Sequence, residues 1–135
     1  MTAKEFLEQV SIQDEKVKAM RIKLRMLHEA LGVKGVNYES TGAASGSRKT
    51  DAMAEAIAKV VDYENALKEE EAKLTIIRFN VEKAIQQIDN KNEREVLERW
   101  YLFFQPLEKI MKEMGYGERR IYDFKKFGIA KIVVP

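Results

Sequence analysis

Apolar residues recur every seven positions along the first ninety residues of the chain, in two separate stretches. The first stretch begins at Ala3, and the pair Thr2 and Glu5 predicts a capping box at the start of its helix. It continues for four heptads and ends at Gly32, a residue suited to a helix C-terminus. Its two interleaved positions are filled by Ala3, Val10, Val17, Leu24 and Leu31 and by Phe6, Gln13, Met20 and Leu27.

The second heptad stripe starts after Thr50 and Asp51, either of which could cap a helix. Apolar residues fill one of its two interleaved heptad positions throughout, and Glu70 interrupts the other. Strict sevenfold spacing of this kind favours a left-handed coiled coil. The apolar members are Met53, Val60, Leu67, Leu74, Val81 and Ile88, with Ala56, Tyr63, Ile77 and Ala84 at the second position.

Residues 32–50 separate the two stripes and are rich in glycine and serine. This composition predicts a flexible loop, so the two helices should fold back as a long antiparallel hairpin over residues 1–89. We expect a register in which Leu31 lies opposite Asp51. The end of the second helix then extends beyond the first, and the C-terminal domain should cover Val81, Ile85 and Ile88.

Residues 90–135 have shorter apolar patterns, which predict three short helices. Asn92 is the expected N-cap of the first, and Pro106 marks the start of the second. Gly115–Gly117 should form a tight turn, and the third helix should run from Glu118 to about Lys131. The predicted fold is therefore all-α, with a coiled-coil-like hairpin followed by a small helix-turn-helix domain.

The composition favours binding over catalysis. The chain has no cysteine and one histidine, His28, so thiolate chemistry, multi-histidine metal sites and a Ser/His/Asp triad are not expected. We therefore predict that the protein is not an enzyme and needs neither cofactor nor metal. No apolar run is long enough for a bilayer and no signal-peptide pattern is present, so we expect a cytoplasmic protein without a membrane partner.

The positive charge is concentrated at the C-terminal end. Residues 91–135 carry a net charge of +3, whereas the first ninety residues carry −1. The last predicted helix is therefore the candidate DNA-reading element, since arginine can bind guanine bidentately and lysine neutralises phosphate. The candidate DNA-binding residues are Glu118, Arg119, Arg120, Tyr122, Asp123, Lys125 and Lys126.

A resemblance agrees with this interpretation. The stretches VLERWY at 96–101, LEKIMKEMGY at 107–116 and ERRIY at 118–122 resemble region 4 of bacterial sigma factors. As a whole, the chain resembles small phage and prophage proteins of Gram-positive bacteria that join a helical hairpin to a region-4-like helix-turn-helix. The resemblance implies a transcriptional regulator in the bacterial host cell. It matches Glu118, Arg119 and Arg120 to the part of the helix that enters the DNA groove.

Three residues depart from that family pattern: Gly117 replaces a Ser or Thr cap, Gly128 replaces an alanine, and Asp123 places an acid on the reading face. These departures leave an alternative open, in which the chain is a coiled-coil adaptor whose last domain binds a protein such as RNA polymerase. In the leading interpretation, the partners are double-stranded DNA, host RNA polymerase and a second copy of the chain paired through the heptad helices.

Overall fold

The computed structural model describes the backbone at residues 1–41 and 47–135, and the side chains at residues 1–32 and 51–135. These residues form helices and contain no strand, so the all-α prediction is confirmed. A π-helical segment, Glu98–Leu102, continues directly from α3. The helices are α1 (Ala3–Thr41), α2 (Ser47–Gln86), α3 (Lys91–Leu97), α4 (Leu107–Met114) and α5 (Glu118–Lys131).

The first helix begins as predicted and ends later than predicted. The Glu5 amide donates to Thr2 Oγ1 at 3.1 Å, which caps the start of α1. The helix does not end at Gly32 but continues to Thr41, and α2 already begins at Ser47. One glycine costs a helix only about 1 kcal/mol relative to alanine, which its neighbours can offset. Most of the loop predicted at 32–50 is thus helical, and residues 42–46 of it lie outside the described part.

The chain divides into two compact units. The hairpin unit comprises residues 15–72, and the core unit combines residues 1–14 with residues 73–135. The ends of both long helices therefore belong to the same unit as α3, α4 and α5. This division differs from the sequence-based boundary between residues 89 and 90, because the apolar ends of α1 and α2 contribute to the core of that unit.

In the hairpin unit, α1 and α2 run antiparallel, and the heptad residues Val17, Val60 and Leu67 are buried between them. The expected register is wrong by about ten residues, because Arg21 should have faced residue 61 and instead pairs with Glu71. The shift follows from the continuation of α1 beyond Gly32. Three polar contacts define the observed register: Lys16–Glu70 at 3.3 Å, Arg21–Glu71 at 3.2 Å and His28–Glu64 at 2.9 Å.

In the core unit, the first turns of α1 pack with the last turns of α2. The apolar side chains Leu7, Val10, Val81, Ile85 and Ile88 are all buried, as expected for the end of the second heptad stripe. The Arg78 guanidinium contacts the Asp14 carboxylate at 3.0 Å, and this pairing compensates the burial of that carboxylate. No helix in the described part of the chain is long and apolar enough to cross a bilayer.

A second cluster in the core unit joins the three short helices. Its centre consists of Val96 from α3, Ile110 from α4 and Ile121 from α5, all fully buried. One side of α5 comes unusually close to α3: a Cβ on Gly128 would lie 3.0 Å from Leu97 Cδ1. Glycine at this position is therefore explained by the close packing of the two helices. The surrounding, partly buried residues are Trp100, Leu107, Met111, Met114, Tyr116 and Phe124.

Candidate nucleic-acid interface

The position of α5 is set first by α3. The N-cap of α3 is Asn90 rather than the expected Asn92, and its side chain accepts hydrogen bonds from the amides of residues 92 and 93. At the C-terminal end of α5, Lys131 Nζ lies 2.6 Å from one oxygen of the buried Glu93 carboxylate and 3.0 Å from the other. This ion pair and the close contact at Gly128 hold the C-terminal half of α5 against α3.

Arg99 lies in the π-helical segment, and the hydrogen bonds of its side chain link α3 to α4. Its guanidinium binds Glu95 on α3, Gln105 in the following loop and Glu113 on α4. The hydrogen bond with Glu113 is the main reason why the pKa of Arg99 is raised. The segment thereby fixes α4 next to the helix that precedes it.

The turn between α4 and α5 depends on glycine. Gly115 has φ 76°, in the left-handed region, and its amide donates to the Met111 carbonyl at 2.9 Å. Gly117 then caps α5 with extended backbone and no side-chain hydrogen bond. Between them, the Tyr116 ring packs edge-on against Phe124 with centroids 5.1 Å apart, and its hydroxyl accepts a hydrogen bond from Asn92. The two helices and the three-residue turn predicted from the sequence are thus present.

The outward face of α5 carries most of the candidate DNA-binding residues. Arg119, Asp123 and Lys126 lie on the side of the helix opposite the buried Ile121, at the helical spacings i, i+4 and i+7. Residues at such spacings point in one direction and could reach one groove together. The candidates that the structure leaves exposed are Glu118, Arg119, Arg120, Tyr122, Asp123 and Lys126.

Two of these exposed residues are anchored on aromatic rings. The Arg120 guanidinium lies 5.8 Å from the Tyr116 ring centroid and 5.5 Å from that of Phe124. The Tyr122 ring lies 6.0 Å from Trp100. Such contacts restrict the side chains of Arg120 and Tyr122.

Lys125 lies apart from the other candidates. It is half-buried, and its Nζ is 3.8 Å from the Trp100 ring centroid and 5.8 Å from that of Tyr101. Burial is the main reason why the pKa of Lys125 is lowered, with a smaller contribution from Lys4. The position is four residues after Ile121, so the helix turns this side chain toward the core. Lys125 therefore packs on an aromatic surface instead of joining Arg119 and Lys126.

Sequence reasoning missed Phe127 on the same face. Its side chain is 54% exposed and lies one turn after Asp123 and beside Lys126. The apolar pattern of α5 drew attention to the inward positions Ile121 and Phe124, and an aromatic residue outside that pattern was the available signal. The outward face of α5 is therefore mixed, with cations, two acids and two exposed aromatic rings, those of Tyr122 and Phe127.

Two further features of the described residues concern other kinds of site. Among them there is no group of three or more His, Asp or Glu side chains placed to hold a metal ion. An open groove of about 400 Å³ runs beside Trp100, Tyr101 and Phe104, with Lys4, Glu8 and Lys125 on its walls.

Comparison with protein families, with curated proteins and with solved structures finds no match for this chain.

Proposed function

We propose that the protein is a phage-type transcriptional regulator that binds duplex DNA through α5. The observation that carries this proposal is the outward face of α5, where Arg119 and Lys126 project together from a helix fixed by a glycine turn and a buried core. A helix held this way after a short preceding helix is the element that many regulators place in the major groove.

The charged side chains of α5 make two kinds of contact with DNA. Some position the helix, and others read bases. Lys126 neutralises phosphate, and Arg119 at the start of the helix reaches the guanine edge, where its guanidinium forms two hydrogen bonds. Glu118 and Asp123 accept hydrogen bonds from cytosine and repel phosphate. Since two acids accompany the free cations, one copy binds DNA weakly, and sequence selection requires two copies on adjacent half-sites.

The hairpin unit supports the pairing of two copies. Four apolar side chains outside its buried seam are between 46% and 62% exposed: Ile22, Met26, Ile57 and Val61. A second copy would remove such side chains from water, which favours association. We propose that the hairpin forms this dimer and also provides the contact with host RNA polymerase. Sedimentation velocity of the full chain should give a dimer mass, and Met26→Lys should shift it to the monomer.

The DNA-binding proposal is tested with the double variant Arg119→Ala/Lys126→Ala. Its matched control is Lys59→Ala/Lys68→Ala, which removes the same charge from exposed positions of α2. Affinity for a random duplex is measured over a range of salt concentrations. Wild type and control should show the same steep salt dependence, and the slope for the α5 variant should fall by about 1 for each phosphate contact removed. Equal slopes for all three proteins would show that α5 is not the DNA-binding element.

The alternative is an adaptor that binds a protein through the core unit. It is favoured by three apolar side chains there that are 60% to 66% exposed: Ile76, Phe79 and Phe103. Ile76 and Phe79 lie about one helical turn apart on α2, and neighbouring exposed apolar residues mark interaction surfaces. An adaptor should show no salt-sensitive affinity for random duplex. When immobilised on an affinity column, an adaptor should instead retain RNA polymerase, and the Phe103→Ala variant should not retain it.

A further inference from the structure

Phe127 is a large apolar side chain near the C-terminal end of the charged outward face of α5. The other large apolar residues of that helix lie nearer to the core, with Ile121 fully buried and Phe124 packed against Tyr116, whereas Phe127 is 54% exposed. It is also absent from the cluster that joins the three short helices. The position of this ring is therefore not explained by the folding of the domain.

The spacing of Phe127 places it at the far end of the proposed contact surface. It follows Arg119 by eight residues, which corresponds to about 12 Å along an α-helix. The major groove of B-DNA is about 12 Å wide and admits an α-helix, so residues along the inserted face of such a helix can reach base edges. Phe127 follows Asp123 by four residues, so these two side chains lie one turn apart on the outward face of α5, and a groove that receives this face also receives the ring.

The chemistry of the groove then limits what the ring can contact. Base edges in the major groove present hydrogen-bond donors and acceptors, and their characteristic apolar group is the C5-methyl of thymine. Phenylalanine has no polar atom in its side chain and cannot read the donors and acceptors. We infer that Phe127 is a specificity-determining residue that contacts thymine methyl groups in the major groove. This inference rests on the proposed function, since it requires α5 to enter that groove.

The test compares two duplexes that differ only in those methyl groups. Both have about 20 base pairs, or two helical turns, and the same sequence. One contains all four bases, and the other has deoxyuridine in place of every thymidine. Wild type should bind the thymine duplex about fourfold more tightly, which is the effect of about 0.8 kcal/mol for one buried methyl group. Phe127→Ala should bind both duplexes equally, and Phe127→Leu should keep part of the preference.

A control variant separates a general loss of binding from a loss of selectivity. Ile12→Ala removes an apolar side chain of similar exposure outside α5 and should keep the fourfold preference. Equal affinity of wild type for the two duplexes would overturn the role of Phe127 and leave DNA binding intact. A preference that survives in Phe127→Ala would assign it to DNA shape and would also overturn the inference. A wild type that binds neither duplex would refute the proposed function itself.

Discussion

Replacing Gly128 with valine should destabilise the core unit by about 2 kcal/mol. A Cβ at this position would meet Leu97 Cδ1 at 3.0 Å, Leu97 Cγ at 3.2 Å and the Glu93 carbonyl oxygen at 3.4 Å. Leu97 is fully buried, so its side chain has little room to move away. Overpacking of this kind costs about 1–3 kcal/mol. Helix propensity offsets only a small part, because valine exceeds glycine by about 0.4 kcal/mol.

The chain provides both a probe and a control for this experiment. Trp100 is the only tryptophan and lies in the core unit, so its fluorescence during urea unfolding reports that unit. Ala130→Val introduces the same residue at an exposed position of α5 and should cost about 0.6 kcal/mol from propensity alone. If Gly128→Val is as stable as wild type, the close packing of α5 on α3 would be refuted.

Three further changes test the core unit, each by unfolding or titration. Lys131→Met should cost about 1–2 kcal/mol, because it leaves the buried Glu93 carboxylate without its cation, and an unchanged urea midpoint would exclude this ion pair. Burial raises the pKa of Tyr101 to about 12, so its stabilising contribution is complete below pH 10 and is lost as the pH rises toward 12. Phenolate absorbance should show one tyrosine titrating near pH 12, and that step should vanish in Tyr101→Phe. Ile110→Ala should cost about 3 kcal/mol as a fully buried residue, whereas the exposed Ile76→Ala should change stability by less than about 0.5 kcal/mol.

The C-terminal helices were the part of the fold that local pattern could predict. The turn Gly115–Gly117 and helix Glu118–Lys131 lie where glycine punctuation and apolar spacing placed them. These signals act within a few residues, so sequence reading captures them directly. The N-cap of α3 was displaced from Asn92 to Asn90, because several neighbouring polar residues can accept the same amide hydrogen bonds.

The length of α1 depends on the balance between the helical cost of Gly32 and the stabilisation from neighbouring residues, and composition does not reveal this balance. Gly32 is a good helix terminator, yet its helical cost is small enough for α1 to continue to Thr41. The same error displaced the register of the hairpin, because the pairing of Arg21 with Glu71 depends on where the chain turns. The heptad positions Val60, Leu67 and Leu74 are buried as predicted, whereas Leu27 of the first stripe is 41% exposed.

Individual side chains of the reading face were the hardest to predict. Lys125 was grouped with Lys126 by its charge, but only the packed structure shows that it lies on the Trp100 ring. Phe127 was overlooked, because an exposed aromatic residue breaks no rule of helix periodicity. The π-helical segment Glu98–Leu102 also lacks a signal in the 3.6-residue pattern, although it places both Trp100 and Arg99.

NMR titration of the full chain with a short random duplex at low salt tests whether α5 enters the DNA groove. Backbone amide shifts should change along residues 118–127 and remain unchanged on the exposed face of α2 around Lys59 and Lys68. Added salt should reverse these changes. Shifts confined to other helices, or no shifts at duplex concentrations that saturate other DNA-binding domains, would show that α5 does not enter the groove.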